Sequence, residues 1–290
     1  MPYDDEIGDS SFVMLGSIIG DIIGSAYEFH NVKTKDFTLF PPAACFTDDT
    51  ILTCAVADWL VHGGDPARYL RTWGQAYRHR TYENGTVAAF GRGFSAWLNG
   101  ENTVPSVMNG CVMRLSPLLA LKTCADAKRK ADVLTRLTHN TPEALTAVRA
   151  YIETGFLLKH RVPVARIIRM IGPKYGYDLS QTPDDIRPTY NRFYCRCSRS
   201  VPQAMICALT AKSYEDAIRA AVSLGGDSDT LAAMAGGLAA IRFSIPDSLL
   251  RQADTRLDTR TRAMVRTFLR WQKDQGRVYA TYAVQGQDRS

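Results

Sequence analysis

The chain has 290 residues, 46% hydrophobic and 22% charged, with 21 glycines and 13 prolines. That length buries a large core without disulfide staples, and that composition excludes collagen-like and disordered classes. The formal net charge is +6, and the segment from Arg251 to Arg277 carries most of it, with eight cations against Asp254, Asp258 and Asp274. The seven cysteines are odd in number and scattered, the pattern of reduced cytosolic thiols, and Cys195-x-Cys197 lacks a second pair at zinc spacing.

From the N-terminus, Asp4, Asp5, Glu6 and Asp9 give the wrong charge for a signal or transit peptide. The apolar run from Phe12 to Phe29 is broken by Asp21, Glu28 and three glycines, a poor membrane span. A cytoplasmic protein with no membrane association is expected. Helical periodicity follows over 12–29, 51–61, 66–79, 87–98, 111–121, 125–137, 142–160, 164–170, 201–211, 214–224, 229–243 and 257–275. Asp65-Pro66, Thr141-Pro142 with Glu143, and Ser213 with Asp216 are start signals. Two connections are long: 99–109, and 172–200 with its three prolines and four tyrosines. Strand signals are scarce and no repeat or linker interrupts the pattern. The expected fold is all-α, one domain over residues 12–275, with flexible termini at 1–11 and 276–290. Apolar Leu257, Met264, Val265, Phe268, Leu269 and Trp271 among the C-terminal cations read as one amphipathic helix with a solvated arginine face. A polyanion dock is the alternative, but no nucleic-acid motif accompanies it and nucleic acid is not expected as a partner.

Two acidic motifs carry the chemistry. Thr47-Asp48-Asp49-Thr50 precedes an apolar helix, and Gly225-Gly226-Asp227-Ser228-Asp229-Thr230 opens a helix of small residues. Helix capping explains one carboxylate in each turn and leaves the second unexplained. Four carboxylates and two hydroxyls form a hard oxygen set, suited to Mg²⁺ or Mn²⁺ and wrong for zinc or copper. Without a cation, converging acids would raise one another's pKa. In the first helix, Gly16, Gly20 and Gly24 recur at i+4, each costing about 1 kcal/mol against alanine, as a close approach of another backbone or a ligand would justify. Ser17, Asp21, Gly24 and Glu28 fall on one stripe of that helix.

With these motifs the chain resembles the ADP-ribosylglycohydrolase family, of the dinitrogenase-reductase-activating glycohydrolase type. The resemblance covers roughly residues 12–243. It rests on Gly16 to Glu28, Phe46-Thr47-Asp48-Asp49-Thr50, Asn109-Gly110-Cys111-Val112-Met113-Arg114, Leu137-Thr138-His139 with Pro142-Glu143-Ala144, and Gly225 to Thr230. It implies an orthogonal all-α bundle with a centre of two Mg²⁺ ions, or Mn²⁺ in their place. Thr47, Asp48 and Asp49 would hold the metals from one side, and Asp227, Asp229 and Thr230 from the other. Glu28, Asp48 and Asp229 are the implied proton-moving acids. Ser106, Asn109, Gly110 and His139 match the diphosphate region of an ADP-ribose site, and Phe90 and Gly91 a neighbouring loop. Ala89 stands where glycine is common, Val107 and Met108 replace an aromatic-glycine pair, and Cys111 replaces a small residue.

The implied activity is metal-dependent hydrolysis of the glycosidic bond between ADP-ribose and an acceptor, foremost a protein arginine side chain. The substrate partner is then an ADP-ribosylated protein or small molecule. The alternative is an inactive family member that binds ADP-ribose or a protein partner.

Overall fold

The computed structural model describes residues 12–82, 85–101 and 105–287. Its framework is two buried helices, α1 (Val13–Ser25) and, late in the chain, α11 (Ser228–Arg242). Every residue from Val13 to Gly24 and from Ser228 to Ala240 is buried, as expected of helices that are apolar on all sides. They run antiparallel and meet backbone to backbone. A Cβ on Gly20 would fall 2.1 Å from the Ala232 carbonyl oxygen, one on Gly24 2.4 Å from that of Ser228, and one on Gly16 2.5 Å from that of Gly236. The i+4 glycines are therefore a contact stripe for another main chain. Ser228 Oγ donates to the Gly24 carbonyl at 2.8 Å, and Tyr214 OH to that of Gly16 at 2.7 Å, locking the register.

Around this pair lie α2 (Asp48–His62), α3 (Pro66–Ala76), α4 (Arg92–Leu98), α5 (Cys124–Thr138), α6 (Pro142–Lys159), α7 (Val164–Tyr175), α8 (Pro183–Ile186), α9 (Cys197–Thr210), α10 (Tyr214–Leu224), α12 (Asp247–Arg256) and α13 (Thr259–Gln287). The expected start signals act as caps: Asp65 accepts from Ala67 N–H, Thr141 from Ala144 N–H and Ser213 from Asp216 N–H. Apolar side chains from Val13 to Leu269 form one buried cluster. No helix among the described residues is long and apolar enough to cross a membrane.

The all-α reading stands, with local corrections. Of the helix expected over 87–98, residues 87–88 are strand and α4 begins at Arg92. Strand β1 (His79–Tyr82) pairs antiparallel with β2 (Gly85–Ala88), Tyr82 facing Gly85. The β-branched Thr81, Thr86 and Val87 are the strand signal that the apolar spacing obscured. The expected helix over 111–121 is two 3-10 turns, Asn109–Cys111 and Ser116–Ala120. Pro117 lacks an N–H and disfavours helical backbone at the preceding residue, so a continuous α-helix cannot form there. The segment 172–200 is partly helical, holding the end of α7, all of α8 and the start of α9. The basic C-terminal segment is two helices, broken at Leu257 and Asp258, and the helical backbone runs past Gln275 to Gln287. Residues 1–11 and 288–290, expected to be flexible, lie outside the described residues. Several of the arginines here have structural partners: Arg256 donates to the carbonyls of Pro42 and Ala44, and Arg260 lies 4.4 Å from the Trp73 ring centroid.

Helices α5, α6 and α7 are joined by Glu153, which accepts from Lys128, from Lys174 at 2.7 Å and from Tyr175 OH at 2.6 Å. Burial pushes this carboxyl up, but the three donors outweigh burial and hold it at about 2.

Two outcomes follow from this packing. Gly20→Ala should cost about 3 kcal/mol in urea unfolding, because main chain cannot yield as a side chain can, whereas Gly93→Ala, with nothing within 4 Å of the added carbon, should shift stability by less than about 1 kcal/mol. Glu153→Gln should lower the thermal midpoint at neutral pH. Because the native pKa lies below the ordinary glutamate value of 4.5, the gap from wild type should be full above that value and close as pH falls toward about 2.

Candidate active site

The antiparallel crossing brings the C-terminal end of α1 to the N-terminal end of α11. The N-terminus of α2 is drawn to the same place by Asp21, a fully buried carboxylate on α1. Asp21 accepts from the backbone N–H of Thr47 at 2.9 Å and of Thr50 at 3.0 Å, and from both hydroxyls. A residue of α1 thus satisfies the first-turn donors of α2, while Thr47 Oγ1 caps the same helix through Asp49 N–H.

On the other side, Gly225 and Gly226 adopt φ of +76° and +72°, a left-handed turn that glycine enters without strain. Asn31 Oδ1 accepts from Gly226 N–H, and Lys33 donates to the carbonyls of Leu224 and Tyr190. The segment after α1 thereby straps down the turn from which Asp227 and Asp229 project.

The carboxylates converge. Oxygens of Asp21, Asp49 and Asp229 lie within 4.8 Å of one another, as do those of Glu28, Asp227 and Asp229, so Asp229 belongs to both groups. Thr230 Oγ1 donates to Asp49 Oδ2 at 3.3 Å, and Asn109 Nδ2 to Asp227 Oδ2 at 2.6 Å. Asp49 Oδ1 is buried with no hydrogen-bond partner. Burial, then the charges of Asp227, Asp48 and Asp21, push Glu28 up to about 8. Burial and neighbouring carboxylates also raise Asp49 and Asp229 well above the usual range. Asp227 is raised by burial, with Asn109, Asp229 and Thr230 pulling the other way. An orphaned oxygen amid mutually repelling buried acids is an arrangement that hard divalent cations complete. The cation clusters among the described residues contain no cysteine or histidine.

A cavity of about 800 Å³ opens above these groups, within the range of small-ligand sites. Glu28, Thr47, Asp48, Asp49, Asp227, Asp229 and Thr230 line it at one end. Ser106, Asn109, Gly110, His139, Phe90 and Gly91 line it elsewhere, so the structure brings every sequence-derived candidate into one cleft. Ala89 and Met108, two of the four departing residues, are on its wall, whereas Cys111 is buried with its sulfur 3.7 Å from that of Cys197. Asp48 lines the cleft but belongs to neither close carboxylate group, whereas Asp21 belongs to one without lining the cleft, its oxygens accepting from Thr47 and Thr50. Asp21 was visible on the polar stripe of α1, but a stripe alone does not separate a site carboxylate from a solvated edge. Sequence reasoning also missed Phe29 and Phe193, 74% and 47% exposed, with parallel rings 6.0 Å apart beside Glu28. They are 164 positions apart in the chain (193 − 29), and no local pattern pairs them.

Comparison with known proteins agrees with this geometry. The sequence profile of the ADP-ribosylglycohydrolase family matches residues 12–280. An ADP-ribosylarginine hydrolase, Tri1, of Pseudomonas putida (strain GB-1) is 25% identical, over 80% of this chain and 70% of its own length. The solved structure of an ADP-ribosylglycohydrolase-related protein complex superimposes with a TM-score of 0.68 at 21% identity, covering 91% of this chain and 98% of that one, a likeness of fold. With two acidic turns gathered at one mouth and a family match spanning nearly the whole chain, the protein belongs to the ADP-ribosylglycohydrolase family.

Proposed function

We propose that this protein hydrolyses the glycosidic bond between the distal ribose of ADP-ribose and an arginine side chain of a modified protein. The observation that carries the reading is a carboxylate cluster with an orphaned oxygen at one end of a cleft whose other walls carry the Asn109-Gly110 turn and His139. The family and the ADP-ribosylarginine hydrolase relative support the substrate class.

Thr47, Asp48 and Asp49 would hold divalent cations from one side and Asp227, Asp229 and Thr230 from the other, with Glu28 beside them, Mg²⁺ or Mn²⁺ by the hardness of the donors. Bound there, such ions supply Lewis-acid charge that orients ribose hydroxyls and acidifies water. The chain's own groups do the rest. The diphosphate rests against Ser106, Asn109, Gly110 and His139, and the adenosine end lies toward Phe90 and Gly91. Positive charge builds at the anomeric carbon as the carbon–nitrogen bond breaks, and the carboxylates of Asp48 and Asp229 stabilise it. Water oxygen bonds to that carbon. Glu28, Asp48 and Asp229 are the acids placed to move its proton to the departing guanidine. Phe29 and Phe193 at the rim offer flat faces on which a guanidinium stacks, which favours arginine among acceptors.

A second reading, binding without turnover, is favoured by Ala89 and Met108 on the cleft wall where other family residues are usual. Calorimetry with ADP-ribose and Mg²⁺ beside a turnover assay separates the two.

Arginine-linked ADP-ribose should be released with Mg²⁺ or Mn²⁺ and not with chelator. Failure across arginine-, serine- and small-molecule-linked substrates overturns the catalytic reading. Asp229→Asn and Asp48→Asn should each lose roughly 100-fold or more in turnover with the circular dichroism of wild type. Millimolar Mn²⁺ should raise the thermal midpoint of wild type, and Asp229→Asn should abolish that rise. Unaltered turnover in both variants refutes the site assignment.

A further inference from the structure

Arg114 is 0% exposed and has no ion-pair partner among the described residues. It follows the Asn109-Gly110 turn and is among the residues that line the cleft. One guanidinium nitrogen, Nη2, donates to the Leu134 carbonyl at 3.2 Å and to Thr138 Oγ1 at 2.9 Å, while Nε and Nη1 have no partner. Burial lowers its pKa to about 10, which leaves it cationic at neutral pH. A buried, unpaired cation is costly, and its position on the cleft wall calls for an explanation.

The contact beyond it supplies one. Thr138 Oγ1 lies 2.7 Å from His139 Nδ1, and both side chains are buried. A guanidinium can only donate, so the Thr138 oxygen is the acceptor from Arg114. The Thr138 hydroxyl proton then needs an acceptor, and His139 Nδ1 is the one within reach among the described residues. Nδ1 is therefore the lone-pair nitrogen, and the ring proton sits on Nε2. That nitrogen points at the turn: a Cβ built on Gly110 would lie 3.6 Å from His139 Nε2, and both residues line the cleft. Burial, then the Arg114 charge, hold the imidazole down at about 3, against the pull of the α5 C-terminus that His139 caps. Among the described residues no carboxylate bears on the ring to restore its charge.

We propose that Arg114 and Thr138 are positioning residues that fix His139 as the neutral Nε2–H tautomer, so that the cleft presents an N–H donor beside Gly110 to a phosphate oxygen of the ligand. The identity of that oxygen, in the diphosphate of ADP-ribose, rests on the proposed function, whereas the tautomer does not. Arg114 adds a fixed positive charge beside a neutral donor on the same wall. Anion recognition at this wall then stays constant across the pH range in which an ordinary histidine would switch.

The test is ¹⁵N-histidine NMR of the full-length protein, with Thr138→Val, Thr138→Ser and Arg114→Met, together with calorimetry of ADP-ribose. In wild type, His139 should show the Nε2–H pattern, unchanged over roughly pH 5 to 8. Thr138→Val should mix the tautomers and weaken ADP-ribose about tenfold, Thr138→Ser should restore both, and Arg114→Met should raise the His139 pKa if it folds. An Nδ1–H ring in wild type, an ordinary titration, or a tautomer indifferent to Thr138→Val would overturn the proposal. ADP-ribose that fails to bind wild type while the Nε2–H pattern holds would count against the proposed function alone.

Discussion

The close antiparallel contact of α1 and α11 sets the position of everything at the site. Three glycines at i+4 let the two main chains touch, and any Cβ in that seam would collide with a carbonyl. Because the helices run in opposite directions, the end of one is the beginning of the other. The acids after α1 and those opening α11 thus meet although about 200 residues separate them in the chain. Asp21, the residue after the middle glycine, then fastens the start of α2 to the same point by four hydrogen bonds.

What that geometry assembles is electrostatically unfavourable on its own. Buried carboxylates crowd together, and their pKa values rise because both desolvation and mutual repulsion oppose ionisation. The N-termini of α2 and α11 point their positive dipole ends at the cluster and relieve part of the strain. Helix dipoles contribute partial charges only, and the Asp49 oxygen still lacks a donor. The opposite wall is built on other terms: an uncharged imidazole, a glycine turn and a buried arginine give donors without a competing acid. One cleft thereby joins an end suited to cations with an end suited to anions, as a ligand carrying both a diphosphate and a ribose requires.

Much of this was legible in the sequence because the signals were local. Thr47-Asp48-Asp49-Thr50 and Asp227-Ser228-Asp229-Thr230 each combine a cap with a surplus carboxylate, and the glycine stripe announces a close approach without naming its partner. Helices with clear caps, such as α6 and α10, were readable for the same reason. The hairpin at 79–88 and the 3-10 turns around Pro117 were not, since apolar spacing in short segments fits more than one backbone. Short α8 and the separate α12 left no periodic trace long enough to detect. Asp21 carried a signal that became decisive only when Thr47 and Thr50 were seen to donate to it. The Phe29–Phe193 pair and the Arg114–Thr138–His139 chain are tertiary, and spacing does not encode them.

The central claim is that two acidic turns remote in sequence form one divalent-cation centre. Its most direct measurement is anomalous X-ray diffraction from crystals of the full chain equilibrated with Mn²⁺. The account predicts anomalous density bounded by Asp49, Asp227 and Asp229, lost on treatment with chelator. Side chains turned apart with no anomalous peak among them, in crystals where Mn²⁺ is demonstrably present, would contradict it.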